Sequence, residues 1–380
     1  MQFTPLFENS IPTFLFYALC FFAFIQLLYV FLVYARLAFY REKQFPNNGR
    51  EKSVSIIICC RNEEENLLKN LQDVVEQDYS NFEVILVNHL SSDDSIDVMR
   101  AFQKFYSNVR VINVQRSTHL KMGKKFPLSL GIKAAKNELI LLTDADCKPT
   151  SKEWLKRMVA HYENDKTELV LGYGPMRKTK GFLNWFSRME TTYIAVNYFA
   201  YALAKVPYMS VGRNFSYKKA VFEKNKGFKK HYNVLSGDDD LFLQETATRK
   251  NVSIEINEKT WCYSDAKETW SDWLIQKKRH YSASPKYKVI KKLLLGIYSF
   301  SWLALLTLFV TLMFDIEYNG VALIVFGGVF LFKWTVFMLN FRKLKSLQMA
   351  LIFPIWETVY MVVTPFIFAN LKNTQRQQWR

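Results

Sequence analysis

Two short acidic runs hold the densest potential chemistry in this 380-residue chain. Thr143-Asp144-Ala145-Asp146 follows the apolar run Leu139 to Leu142, so two carboxylates separated by one residue lie just past a strand of buried type. Extended backbone would splay them to opposite faces, and a turn must bring them together. Brought together, they suit a hard divalent cation such as Mg²⁺ or Mn²⁺, which takes oxygen ligands and keeps positions open for phosphate oxygens. Such a cation would neutralise a diphosphate leaving group. A pair this short serves equally well to cap a following helix.

The second run is Gly237-Asp238-Asp239-Asp240, ahead of Leu241-Phe242-Leu243. Three adjacent carboxylates repel, so at least one should titrate high unless a cation stands near, and a raised pKa suits a general base. Aspartates also favour the first turn of a helix through its dipole. Further on, Gln276 and Arg279 share one face of an amphipathic stretch that begins near Trp270 and could clamp a phosphate or an acceptor. Some of the neighbouring Lys277, Lys278 and Arg279 must instead snorkel at an apolar boundary. His89, His119, His161, His231 and His280 lack metal-ligand spacing, so no zinc site is expected. Cys20, Cys59, Cys60, Cys147 and Cys262 read as small core residues of a reducing compartment.

The elements that must position these groups follow from hydrophobic period. Ser53 to Cys60, Phe82 to Val87, Val109 to Val114 and Leu139 to Leu142 read as strands. Helices fall between them: one through Gln77 opened by an Asn62/Glu65 capping box, one from Asp93 to Tyr106, and one around Pro127 to Lys136. Strand and helix alternation predicts a doubly wound, mostly parallel α/β sheet with ligands at the carboxyl ends of its strands.

Apolar runs flank this region. Ile11 to Ala38 is long enough to span a bilayer and is followed by Arg41 and Lys43, which places the N-terminus outside and the domain in the cytosol. Leu293 to Phe314 and Val321 to Asn340 form a hairpin returning to Arg342, Lys343 and Lys345. Leu351 to Ala369 carries Pro354, Glu357 and Pro365 and reads as either a crossing or a re-entrant segment. The divisions are thus an N-terminal anchor at 1–45, an α/β domain at 46–290 and a membrane region at 291–380. Phe182 to Tyr208 is aromatic, but Arg188, Glu190, Asn197 and Lys205 interrupt it, so it should cover the sheet. The formal charge of +17 lies beside the apolar runs, which favours an anionic leaflet over nucleic acid.

The order and spacing of these motifs from Ser53 to Tyr287 resemble the family 2 glycosyltransferases, inverting enzymes of the GT-A fold. Ser55-Ile56-Ile57-Ile58 with Arg61-Asn62-Glu63-Glu64 is similar to the family's opening strand and nucleotide-contacting turn. Gly123-Lys124 ahead of Leu128 and Gly131 is similar to its glycine-lysine element. The resemblance implies metal binding by Asp144 and Asp146, a catalytic base at Asp239 with Asp238 beside it, and acceptor or diphosphate contacts from Gln276 and Arg279. The segment Val211-Gly212-Arg213-Asn214, Gly212 and Asn214 above all, would line the donor or acceptor pocket. Where the family has paired aspartates after the second strand, this chain has Asn88 and His89, and Asn88 would take over the contact to the nucleotide base. The Trp expected after Arg279 is His280.

The expected activity is therefore transfer of a sugar from a nucleotide-sugar to a lipid, lipid-linked or polysaccharide acceptor at the cytoplasmic face of a cell membrane. Lys124 and Arg279 would add positive charge at the leaving group. The competing expectation is a catalytically silent membrane protein that binds nucleotide-sugar or carbohydrate.

Overall fold

The computed structural model describes residues 11–43, 51–115 and 123–369, so His119 and the basic tail with Lys372, Arg376 and Arg380 lie outside the described residues. The chain divides into two compact units, with boundaries between Tyr40 and Arg41, between Tyr287 and Lys288 and between Pro365 and Phe366.

The α/β unit holds strands β1 (Val54–Cys60), β2 (Phe82–Asn88), β3 (Val109–Asn113), β4 (Leu139–Leu142), β5 (Lys148–Pro149), β6 (Leu169–Leu171), β7 (Phe215–Lys218), β8 (Val252–Ile254) and β9 (Cys262–Tyr263). Seven form one sheet in the order β3-β2-β1-β4-β7-β6-β8, and β5 pairs with β9. β1 runs parallel to β2 and β4, and β2 parallel to β3, whereas β7 lies antiparallel between β4 and β6. All seven residues of β1 are buried, which is why it reads as a continuous apolar run rather than an alternating one. The helix Lys125–Ala134 approaches the sheet closely at Gly131, where a Cβ would fall 2.6 Å from Ile57 and 3.0 Å from Val87. The helix Phe182–Leu203 belongs to this unit, with Glu190, Asn197 and Tyr198 buried and the Tyr198 hydroxyl donating to the Gly172 carbonyl at 2.8 Å.

The expected capping box is not what opens the helix Glu64–Val75. Asn62 sits at φ 56° and its side-chain oxygen accepts from the Ser92 amide at 2.8 Å, while Glu65 is exposed. The first free amides are satisfied from the next loop: Glu63 N–H donates to Ser95 Oγ (2.8 Å) and Glu64 N–H to Asp93 Oδ2 (3.2 Å). A cap borrowed across the sheet edge is invisible to a local motif.

The second unit is helical. Ile11–Ala38, Val289–Leu312 and Asn319–Lys343 are each long and apolar enough to cross a membrane. The last apolar stretch forms the helix Phe353–Ala369, shorter than the other three, with Pro354 tolerated in its first turn and Pro365 inside it. Its Glu357 is buried against Lys333 at 2.8 Å and accepts from the Tyr298 hydroxyl at 2.5 Å. The Lys333 ammonium also lies over the Trp302 ring, 3.5 Å from its centroid. Gln26 donates to the Tyr298 carbonyl (2.9 Å) and to Ser301 Oγ (2.8 Å), so Tyr298 joins the first helix to the last.

Two outcomes follow. In detergent, Asp93→Ala should lower stability by about 1 kcal/mol and Glu65→Ala should leave it unchanged, read by thermal unfolding. Glu357→Ala should be less stable than Glu357→Ala/Lys333→Met by about 3 kcal/mol, because the single variant strands a buried charge among apolar helices. Equal stability of the two would show that the pair does not hold the last helix.

Candidate active site

In this sheet order β1 connects outward to β2 and β3 on one side while β4 lies on the other, so the crevice opens at the carboxyl ends of β1 and β4. Arg61 follows β1 there and Asp144 follows β4. The Cys147 N–H donates to the Asp144 carbonyl at 3.1 Å, closing the turn that the Asp-x-Asp spacing requires. One ligand atom from each of Asp144, Asp146 and Cys147 lies within 4.8 Å of the others. The Cys147 thiol donates to Asp146 Oδ1 at 3.3 Å, and burial holds its pKa well above the usual range, so the oxygens are the available hard ligands.

Lys124 joins the two acidic runs. Its ammonium is hydrogen-bonded to Asp144 Oδ1 and lies 3.8 Å from Asp238 Oδ2. Burial alone would lower the Lys124 pKa, but Asp144 and then Asp238 raise it overall. Burial likewise pushes the Asp144 carboxyl up, and Lys124, Arg213 and Arg279 outweigh it, so Asp144 sits below the ordinary value. Asp146 is raised, by burial and then by Asp144. The two carboxylates of the pair are thus split, Asp144 held below the ordinary value and Asp146 above it.

The antiparallel pairing of β7 with β4 sets Phe215 opposite Leu142, and this register carries the turn before β7 to the end of β4. The Gly212 N–H donates to Asp239 Oδ2 at 2.8 Å, while Asp240 N–H donates to Asp239 Oδ1 at 2.8 Å and opens the helix Asp240–Thr246. Asp239 is therefore the N-cap as well as the middle member of the acidic run. Burial, then Asp238 and Asp240, hold its pKa well above the carboxylate range. Burial brings Asp240 up to about 6, with its carboxylate accepting from the Tyr287 hydroxyl.

Arg213 belongs to the Val211–Asn214 segment expected to line the pocket. Its side chain lies along Gly174, where a Cβ would come within 2.2 Å of Nε, and its Nη1 donates to Ser264 Oγ at 3.2 Å. From there its charge acts on both Asp144 and Asp146. A basic residue next to Gly212 was the available signal, but only the β4–β7 register shows which carboxylates it meets.

The helix Trp270–Tyr281 is held by Glu190, which is 1 % exposed and pairs with Lys277 at 2.6 Å while accepting from Trp273 Nε1 at 3.1 Å. Lys277 is thus a packing residue, and Arg279, half-buried, is the member of the basic run whose charge reaches Asp144. Gln276 is half-buried one turn earlier, and His280 is exposed.

Other expected contacts are differently placed. Asn214 is fully buried: its amide donates to the Tyr173 and Thr260 carbonyls at 2.9 and 2.8 Å and accepts from Trp154 Nε1 at 3.1 Å. It is framework, not pocket lining. Asn88 donates to Asn113 Oδ1 (2.8 Å) and accepts from Ser91 Oγ (2.6 Å), so its amide braces the strand ends instead of presenting an open edge to a base. Asn62 is likewise committed to Ser92. Glu63 does belong to the crevice: burial raises it to about 7, against a hydrogen bond from Asn66 and with Asp146 and Asp144 adding to the rise.

Residues 55–226 match the family Glycosyl transferase family 2. The "Probable glycosyltransferase YdaM" of Bacillus subtilis (strain 168) is 24% identical over 248 residues, covering 63% of this chain and 56% of that protein. The "Dolichyl N-acetyl-alpha-D-glucosaminyl phosphate 3-beta-D-2,3-diacetamido-2,3-dideoxy-beta-D-glucuronosyltransferase" of Methanococcus voltae is 28% identical over 179 residues, 45% of this chain and 50% of that protein. The chain thus spans about half the length of these curated relatives. Among solved structures, the mannosyltransferase PcManGT of Pyrobaculum calidifontis, in complex with GDP-Man and Mn²⁺, aligns over 92% of this chain and 99% of its own at a TM-score of 0.54 and 15% identity, which shows a shared fold. The strand order and the turn after β4 agree with that matched segment, so residues 55–226 carry a glycosyl transferase family 2 domain.

Proposed function

We propose that the chain transfers a sugar from a nucleotide-sugar to an acceptor hydroxyl with inversion at the anomeric carbon. The observation that carries this reading is Lys124 standing between Asp144 and Asp238, which puts a candidate cation site and a candidate base in one crevice. The ligand complex of the Pyrobaculum neighbour supports a nucleotide-sugar donor and a divalent cation. Asp144 and Asp146 would hold Mg²⁺ or Mn²⁺, which when bound neutralises the donor diphosphate.

The remaining work falls to the chain's own side chains. Lys124, Arg213 and Arg279 converge on Asp144 and supply positive charge where the nucleoside diphosphate departs. Gln276 flanks Arg279 on the same helix. Arg61 and Glu63, at the end of β1, face the nucleotide. Asp239 takes the proton from the acceptor hydroxyl while that oxygen bonds to the anomeric carbon and the bond to the diphosphate oxygen breaks. Its two backbone donors, Gly212 and Asp240, fix its orientation and leave lone pairs for the proton. Asp238, held by Lys124, raises the basicity of Asp239 without leaving its own charge uncompensated.

The three long apolar helices support an acceptor met at a membrane, and the Methanococcus relative's name includes a dolichyl-linked phosphate. A lipid or lipid-linked glycan is the acceptor class this favours. Basic residues after Ala38 and at Arg342 and Lys343 favour the α/β unit on the cytoplasmic side of a cell membrane.

The test is turnover in detergent across a panel of UDP- and GDP-sugars with Mg²⁺ or Mn²⁺. Asp239→Asn should lose about a thousandfold in rate while retaining donor affinity. Donor binding without turnover in the unaltered protein would instead favour a silent binding protein. Because Asp239 must be ionised to act and its pKa is raised, the rate should rise with pH and its acidic limb should lie above the range of an ordinary aspartate. Arg213→Lys should weaken donor binding about tenfold, since a compact ammonium cannot replace the guanidinium fork; unchanged binding would remove Arg213 from the diphosphate site.

A further inference from the structure

Lys125 is a charged residue that the mechanism above does not use. It opens the helix Lys125–Ala134, at the positive end of the helix dipole, where a cation is disfavoured. It is also 3 % exposed, which a lysine rarely tolerates without full pairing. Its partners are three backbone carbonyls of a single loop: those of His231 at 2.8 Å, Val234 at 2.7 Å and Ser236 at 2.6 Å. An ammonium has three N–H donors, and here each has its own acceptor.

That loop runs directly into Asp238-Asp239-Asp240. Its other end is tied by His231, whose Nδ1 lies 3.0 Å from Glu245 Oε1 on the helix that Asp239 caps. The neighbouring Lys124 binds Asp144 and approaches Asp238. Two consecutive lysines thus act on the same acidic run in different ways, Lys124 through charge and Lys125 through the backbone that carries it.

We infer that Lys125 is a positioning residue: by clasping the 231–236 carbonyls it sets the loop that carries Asp238 and Asp239 against the turn carrying Asp144. Its charge faces Asp238, Asp240, Asp239 and Glu245, which draw its pKa up, while burial pulls it further down, to about 8. An apolar side chain of similar length would fill the space but leave three carbonyls without donors. Arginine, with more donors in a planar fork, would recover some of the three bonds.

This inference rests on the reading of Asp239 as base, and the experiment separates the two. Lys125→Met, Lys125→Arg and Asp239→Asn would be compared in the full-length protein in detergent. Three readouts apply: amide hydrogen exchange of segment 231–239, calorimetric binding of UDP and GDP, and donor turnover. Lys125→Met should speed exchange in 231–239 by about tenfold or more, as expected for lost charge-assisted bonds. It should also lower kcat by about tenfold or more with nucleotide affinity unchanged, and Lys125→Arg should restore part of both. Unchanged exchange in that segment, or equal loss of nucleotide affinity and kcat, would overturn the inference. If Lys125→Met does not fold, Lys125→Gln takes its place: faster exchange confined to 231–239 with a lower kcat supports positioning, and wild-type values in both refute it. Full activity in Asp239→Asn would instead remove the base assignment and leave the exchange result standing.

Discussion

Carboxylates from two distant segments repel one another in a shared crevice unless a cation or a shared proton offsets their charge. Asp144 and Asp238 are 94 positions apart, the difference of their numbers, and they meet because the Lys124 ammonium lies against both. In a partly buried crevice that attraction is strong, and it offsets repulsion that would otherwise spread the two loops apart. Burial, and then these charges, set the titration pattern around them. Asp144 is held low while Asp146 and Asp239 are pushed high, so neighbouring carboxylates of one crevice differ in proton affinity.

The sheet makes that meeting possible. Parallel strands β1 and β4 leave their carboxyl ends on one edge, and β7, running the opposite way, delivers its start to the same edge. Gly212 and Arg213 therefore arrive beside Asp144, and the Gly212 amide reaches across to Asp239. One antiparallel strand in an otherwise parallel half-sheet closes the ring of functional groups. The floor of this ring is apolar, from β1 and β4, so the charges above it are screened less than they would be on an open surface.

The helical unit follows a related rule with fewer charges. Lys333 and Glu357 pair inside it, stacked on Trp302 and bonded to Tyr298, so the polar groups of these apolar helices face one another. Glu357 and the two prolines made the last segment a poor lipid-facing helix by composition. Packed against Lys333, Glu357 instead fastens that helix to its neighbours.

Much of this was legible in the chain itself. Strand and helix alternation, the three long apolar runs and the ordering of acidic and basic motifs are periodic or local signals, carried by residues within a few positions of one another. β1, β2 and β4 read correctly because burial on both faces leaves nearly continuous apolar runs, with Ser55 and Glu83 bonded to each other, and the aromatic stretch from Phe182 read as sheet cover because its polar residues recur too often for lipid. What tertiary structure decided were contacts across long separations. The cap of the helix Glu64–Val75 comes from Asp93 and Ser95, Asn214 is spent on Tyr173 and Thr260, Arg213 is aimed by the β4–β7 register, and Lys125 reaches carbonyls over a hundred positions away. Residue type states which bonds a side chain can make; only the folded chain brings a partner within reach, because hydrogen bonds and ion pairs act over a few ångströms of space regardless of distance along the sequence.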